Sequence, residues 1–205
     1  MDSIPAALRD AGARVRLARG QTLFRTGASA RAVYFVESGL VRLERHGRNG
    51  EAVVLHEARA GEYFAEASLG SDRYHCDAVA AEPSGLLACE ATTLRRLLCE
   101  DPGFAMQWSV LLARQLRATR ARVERLSLRG ATERVRHLLE CDGVGPRREY
   151  VVTGTYKDLA RDLGLSHEVL YRTLARMARE GTVARVGNVL SVPGPRAAKR
   201  MTGII

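Results

Sequence analysis

Residues 155–174, TYKDLARDLGLSHEVLYRTL, predict two short helices joined by a tight turn. Thr155 followed three residues later by Asp158 is a capping box, in which side chain and backbone at a helix start satisfy each other's hydrogen-bonding groups. Gly164 can supply the positive φ that a sharp turn requires, and Ser166 is a preferred N-cap for a second helix. The stretch therefore predicts a helix-turn-helix.

The second helix of this pair has an apolar side and a polar side. The apolar side is formed by Leu170, Leu174 and Met177. The outward side is formed by Glu168, Arg172, Ala175 and Arg179. Arginine can donate two hydrogen bonds to guanine O6 and N7, and glutamate can accept one from cytosine N4, so this side predicts entry into the DNA major groove. The residues predicted to contact DNA are Thr155, Ser166, His167, Glu168, Tyr171, Arg172 and Arg176.

The segment after the helix pair predicts a wing. Residues 181–192, GTVARVGNVLSV, contain two short strand patterns on either side of a Gly187-Asn188 turn. Beyond them, the basic residues Arg196, Lys199 and Arg200 fit either phosphate contacts or a solvated charge run.

A long helix is predicted upstream, from Asp101-Pro102-Gly103 to about Leu128, where the sequence has neither strand alternation nor a further proline. Its apolar spacing alternates between three and four residues, which is typical of a coiled-coil seam. The predicted dimer seam consists of Leu112, Leu116, Thr119, Val123 and Leu126. Just under three heptads leave two interpretations open: a dimer interface, or a helix packed on its own barrel. Gly130 then interrupts the pattern as a candidate hinge.

The first hundred residues predict short strands separated by glycine-rich turns, which is typical of a β-sandwich or barrel rather than of alternating βαβ units. The expected strands are 21–24, 32–36, 40–45, 52–56, 77–81 and 85–90, followed by a helix at 91–99. After the long helix, we expect another helix at 131–141 and a strand at 148–152.

Charge and composition narrow the class of protein. The net charge of +9 favours a polyanionic partner such as nucleic acid. No apolar run is long enough to cross a bilayer and the start lacks signal-peptide features, so we expect a cytoplasmic protein without a membrane partner. The sequence contains no nucleophile elbow, P-loop or dinucleotide fingerprint, which argues against an enzyme. The four cysteines form no Cys-x-x-Cys pair, so we expect no metal site and no disulfide scaffold.

These features together resemble the catabolite activator/fumarate-nitrate regulator family of transcription regulators over nearly the whole chain. Residues 61–69, GEYFAEASL, resemble the family's phosphate-cassette segment, and Ser166-His167-Glu168 with Arg172 resembles its recognition-helix pattern. His167 departs from that pattern, because many members carry arginine there. The resemblance implies a homodimer on palindromic DNA with a TGA-like core in each half-site, and contact with RNA polymerase if the protein activates transcription.

The resemblance also implies an α+β fold in three parts. These are a double-stranded β-helix (jelly-roll) barrel like a cyclic-nucleotide-binding domain at 1–100, a dimerisation helix at 101–129 and a winged helix-turn-helix at 130–205.

The effector pocket is where the resemblance weakens. The positions that the family implies for it are Glu66, Ala67, Ser68, Tyr74, His75 and Thr119. Members that bind cyclic AMP have an Arg-Ser or Arg-Thr pair where this chain has Tyr74-His75, and Ala65 replaces the cassette glycine. Arg73 is one residue away, and on a strand such a slip turns a side chain to the other face. The sequence therefore disfavours cyclic AMP without excluding it.

Haem, a metal ion and an iron–sulfur cluster are the other cofactors to consider. His75 and Cys76 could each ligate haem iron or a metal, but adjacent strand residues point to opposite faces. No cysteine precedes Cys76, which argues against the iron–sulfur cluster of fumarate-nitrate regulators. Two functional hypotheses remain: a regulator gated by an effector in the barrel, and a constitutive DNA-binding regulator whose barrel is vestigial.

Overall fold

The computed structural model describes residues 4–47, 50 and 52–194. The chain divides into two compact units, Met1–Leu112 and Ala113–Ile205, and the boundary falls within the long helix. The three functional ranges expected from the sequence, 1–100, 101–129 and 130–205, stay a prediction. Arg196, Lys199 and Arg200, for which phosphate contacts and a solvated charge run were both left open, lie outside the described residues.

The elements of the first unit are α1 (Ala6–Ala11), β1 (Ala13–Leu17), β2 (Thr22–Phe24), β3 (Ala32–Ser38), β4 (Leu40–His46), β5 (Ala52–Arg59), β6 (Tyr63–Phe64), a 3₁₀ helix (Glu66–Ser68), β7 (Asp77–Ala80), β8 (Ser84–Glu90) and α2 (Ala91–Glu100). The strands form two four-stranded antiparallel sheets, with strand orders β1-β8-β3-β6 and β2-β7-β4-β5. The predicted strands and the predicted jelly-roll barrel are confirmed. The elements α1, β1 and β6 were not predicted from the sequence.

Aromatic rings pack between the two sheets of the barrel. Phe24, Phe64 and Tyr74 are buried there, and Tyr34 packs against them. The ring centroids of Phe24 and Tyr74 are 3.7 Å apart, and those of Tyr34 and Phe64 are 5.2 Å apart. These rings fill part of the space between the sheets with the chain's own side chains.

The long helix α3 (Pro102–Ser127) begins in the first unit. Its first turns pack on the barrel, because Phe104 and Trp108 are buried in one cluster with Tyr63 and Leu94. The helix therefore packs on its own barrel near its start, and the predicted seam begins after these buried residues, at Leu112.

The second unit contains the rest of α3 and a compact helical domain with a small sheet. Its further elements are α4 (Ala131–Asp142), β9 (Tyr150–Val151), α5 (Tyr156–Asp162), α6 (His167–Arg179), β10 (Ala184–Val186) and β11 (Val189–Ser191). The small sheet has the order β10-β11-β9. The winged helix-turn-helix is confirmed, although the strand expected at 148–152 is only two residues long.

Within the described ranges, no helix combines the length and apolar character needed to cross a bilayer. Cys76 and Cys89 are buried free thiols, whereas Cys99 and Cys141 are exposed free thiols. The same part of the chain contains no group of three His, Cys, Asp or Glu residues arranged to hold a metal ion.

Candidate nucleic-acid interface and effector pocket

The helix-turn-helix is held by the local contacts that its sequence predicts. The Asp158 N–H donates to Thr155 Oγ1 at 3.2 Å, and the Thr155 N–H donates to the Asp158 carboxylate at 3.1 Å. At the second helix, Ser166 Oγ accepts from the Val169 N–H at 3.2 Å. Gly164 has a φ of +60° in the turn between them. Thr155 and Ser166 therefore both serve as helix caps, whatever they also contact.

The two sides of α6 separate as the sequence predicts. Leu170, Leu174 and Met177 are buried in the core of the second unit. The side chains left exposed on the other side are Glu168, Arg172, Ala175 and Arg179. Glu168 and Arg172 lie one turn apart near the start of the helix, so both are accessible to a duplex from the same side.

Arg176 lies on α6 but points toward α4. It donates to Thr132 Oγ1, and its Nε is 4.0 Å from the Glu180 carboxylate. These contacts already use part of its hydrogen-bonding capacity. Its role in binding DNA stays a prediction.

Tyr171 belongs to an aromatic cluster that joins α6 to the wing. Its ring centroid is 4.6 Å from that of His167 and 5.8 Å from that of Tyr156. The Arg185 guanidinium of β10 lies 4.1 Å above the Tyr156 ring, which is cation–π geometry. The Tyr156 hydroxyl also donates to the Gly187 carbonyl oxygen in the wing turn at 3.2 Å.

Arg185 was not predicted from the sequence as a member of this surface. The one signal for it was a basic residue in the wing strand two positions before Gly187. Its aromatic partners lie earlier in the chain, so their spacing could not reveal the contact.

The predicted seam of α3 is exposed in the described chain. Leu112, Leu116, Val123 and Leu126 are 40%, 51%, 60% and 40% exposed. The Thr119 hydroxyl donates to the Gln115 carbonyl oxygen of its own helix at 2.9 Å. A row of exposed apolar side chains on one helix face is typical of a protein–protein contact.

Glu66 is the most unusual residue at the predicted effector pocket. Its Oε2 atom is buried without a hydrogen-bond partner. Burial raises the pKa of the Glu66 carboxyl, and its own backbone amide, His56 and His75 partly oppose that shift. Ser68 is buried, with its Oγ 3.3 Å from His75 Nδ1, whereas Ala67 is exposed.

The residue before Glu66 carries a strained backbone. Ala65 has a φ of +65° and a ψ of 12°, in the left-handed region that favours glycine. This conformation explains why a glycine is found at this position in the cassette that the chain resembles.

Tyr74 and His75 do not lie on a strand, so the expectation that neighbouring side chains among residues 73–76 point to opposite faces of a strand was wrong. The strand β7 begins only at Asp77. Tyr74 donates its hydroxyl to the Ala32 carbonyl oxygen at 2.8 Å. Arg73, the nearest arginine, donates to the Gly27 carbonyl oxygen at 2.7 Å. His75 is exposed beside the buried Cys76.

Comparison with known proteins finds a family that matches the barrel and relatives that match most of the chain. Residues 14–101 match the family described as cyclic nucleotide-binding domain. The chain is 34% identical to the cyclic AMP receptor protein of Thermus thermophilus, over 80% of this chain and 76% of that protein. It is 26% identical to the fumarate and nitrate reduction regulatory protein of Shigella dysenteriae, over 90% of this chain and 76% of that protein. The solved structure of FixK2 from Bradyrhizobium japonicum shares the fold, with a TM-score of 0.69, 19% identity and coverage of 93% and 96% of the two chains.

A jelly-roll barrel, a long helix and a winged helix with an exposed polar face define a class of transcription regulators. The chain belongs to one family of that class, the Crp/Fnr family. The relatives named above are a receptor protein and a regulatory protein and not enzymes, in agreement with the expectation from the sequence.

Proposed function

We propose that the chain is a homodimeric regulator that binds specific DNA sequences through α6. The observation that carries this proposal is the arrangement of that helix, in which Leu170, Leu174 and Met177 are buried while Glu168 and Arg172 stay exposed. A helix packed only for stability does not need this pair of side chains on its outer face. A helix in the major groove does need such groups to distinguish base pairs.

The two exposed side chains have distinct roles in this proposal. Arg172 donates two hydrogen bonds to O6 and N7 of a guanine, and Glu168 accepts one from N4 of a cytosine. A twofold dimer places two such helices about 34–36 Å apart, so the site is a palindrome with half-sites one helical turn apart. The family resemblance supports a TGA-like core in each half-site.

The experiment compares Arg172→Ala with Arg179→Ala, which removes an equal charge from the same exposed side of α6. Affinity is measured by fluorescence anisotropy on a selected palindrome and on duplexes with one base pair changed. Arg172→Ala is expected to weaken specific binding by about 1–3 kcal/mol and to relax the preference at one base pair. Arg179→Ala is expected to keep that preference. An Arg172→Ala protein with unchanged preference at every position would refute base recognition by this residue.

Two observations bear on gating by an effector. Glu66 Oε2 and His56 Nε2 are buried polar atoms without partners, which supports a polar ligand in the barrel. The stacked rings of Phe24, Tyr34 and Tyr74 occupy space between the sheets, which favours the second candidate, a constitutive regulator with a vestigial barrel. DNA affinity measured with and without small molecules extracted from cells separates the two: a change supports gating, and equal affinity supports constitutive binding.

The absorption spectrum of the purified protein tests haem directly, and titration with cyclic AMP tests the nucleotide. If the protein activates transcription, RNA polymerase is a further partner.

A further inference from the structure

Arg134, near the start of α4, hydrogen-bonds to four main-chain carbonyl oxygens. Its Nε donates to Leu128 at 2.8 Å, and its Nη2 donates to Leu126 at 3.2 Å. Its Nη1 donates to Leu163 at 2.9 Å and to Gly164 at 3.0 Å. One guanidinium group therefore connects the end of α3 to the turn of the helix-turn-helix.

The four acceptors lie at the ends of α3 and α5 or just after them. The last carbonyl groups of a helix have no partner within that helix, and they lie at the negative end of its dipole. Arg134 serves the ends of α3 and α5 together. An arginine has five N–H donors in a rigid plane, whereas a lysine has a single ammonium that cannot reach all four oxygens at once.

Other contacts hold the same helices together. Arg125 on α3 is only 5% exposed and pairs with the Asp142 carboxylate at the end of α4. Arg122 on α3 has its Nη2 atom 3.7 Å from a carboxylate oxygen of Asp162 at the end of α5. The turn itself lies close to α3, since a Cβ built on Gly164 would be 2.9 Å from Leu126 Cδ2.

We infer that Arg134 is a positioning residue that fixes the angle between α3 and the recognition helix α6, and so sets the spacing between the half-sites that the dimer accepts. The inference rests on the proposed function, because α3 carries the proposed dimer seam and is tied to the twofold axis. A change in this angle moves α6 along the duplex, where one base pair corresponds to about 3.4 Å.

The experiment uses the full chain and palindromes whose half-sites are moved together or apart by one or two base pairs. A two-base-pair change also rotates one half-site by about 70° around the duplex. We expect the wild-type protein to bind a palindrome with this changed spacing about tenfold more weakly, which is the effect of losing one base contact. Arg134→Lys keeps the charge, and it is expected to reduce that discrimination below about threefold without changing the bases preferred in a half-site.

The matched control is Arg136→Lys, the same substitution at an exposed position of the same helix. It is expected to keep the full spacing preference. Arg134→Gln is the second variant, and thermal unfolding is followed for all proteins. Spacing discrimination that persists in Arg134→Lys and Arg134→Gln overturns the inference. It is also overturned if both variants lose half-site binding through unfolding, since the role is then structural. A wild-type protein without any spacing preference instead contradicts the proposed dimer.

Discussion

Replacing Leu116 by glutamine is expected to weaken the proposed dimer while leaving the subunit folded. About half of this side chain, 51%, is exposed in the single chain, so its substitution removes little from the subunit core. Burying a whole leucine contributes about 1.5–3 kcal/mol, so burying the exposed half contributes about 1 kcal/mol. A twofold dimer contains this contact twice, and the loss of about 2 kcal/mol raises the dissociation constant about thirtyfold.

The assay is sedimentation equilibrium at several protein concentrations, with circular dichroism to verify helix content. Glutamine is a good helix former, so α3 itself is preserved. Val110→Gln is the matched control, because Val110 is 43% exposed on the same helix. It lies about 160° around the helix from Leu112 and therefore off the seam. The same dissociation constant for Leu116→Gln and the wild type would refute the seam, as would a wild-type protein that stays monomeric throughout.

Two further predictions concern stability. Because burial raises the pKa of the Glu66 carboxyl, the folded state holds its proton more tightly, and this group makes folding less favourable as pH rises past the ordinary value of about 4.3. The free energy of unfolding of Glu66→Gln, measured in urea, is therefore expected to rise relative to that of the wild type as pH goes from acidic to neutral. A difference between the two proteins that does not change with pH would contradict this. Gly164→Ala is expected to destabilise the second unit by about 1–2 kcal/mol, because the φ of +60° strains any residue with a Cβ. Unchanged thermal unfolding would show that the turn relaxes.

The longer helices and the caps of the helix-turn-helix were predicted well because their signals are local, whereas the six-residue α1 was missed. Each capping contact in the helix-turn-helix joins residues three positions apart, and the buried positions of α6 repeat with the helical period. The strand β1 was missed although Val15 and Leu17 alternate with arginines, since its pairing with β8 joins segments far apart in the chain. The strand β6 has only two residues, which is too short for a pattern.

The sequence predicted which side chains of the candidate site are exposed, but it did not predict the contacts between them. The outward position of Glu168 and Arg172 followed from helical spacing, and both are exposed. The contact of Tyr171 with Tyr156 depends on how α6 packs against α5, and the contacts of Arg185 with both rings depend on how the wing folds back onto these helices, so neither could be predicted. The strand assumed at His75 was wrong because a loop precedes β7.

By itself, the sequence determined the helix-turn-helix, the wing, the glycine-separated strands of the barrel and the apolar row on α3. These features depend on caps, turns and periodicities that act within a few residues. Only the tertiary structure decided how the arginines are used, with Arg172 left exposed, Arg176 bonded to Thr132 and Arg134 bonded to the Leu163 carbonyl oxygen 29 residues away. Arginines are alike in sequence, and the path of the chain alone brings a particular acceptor within reach of each one.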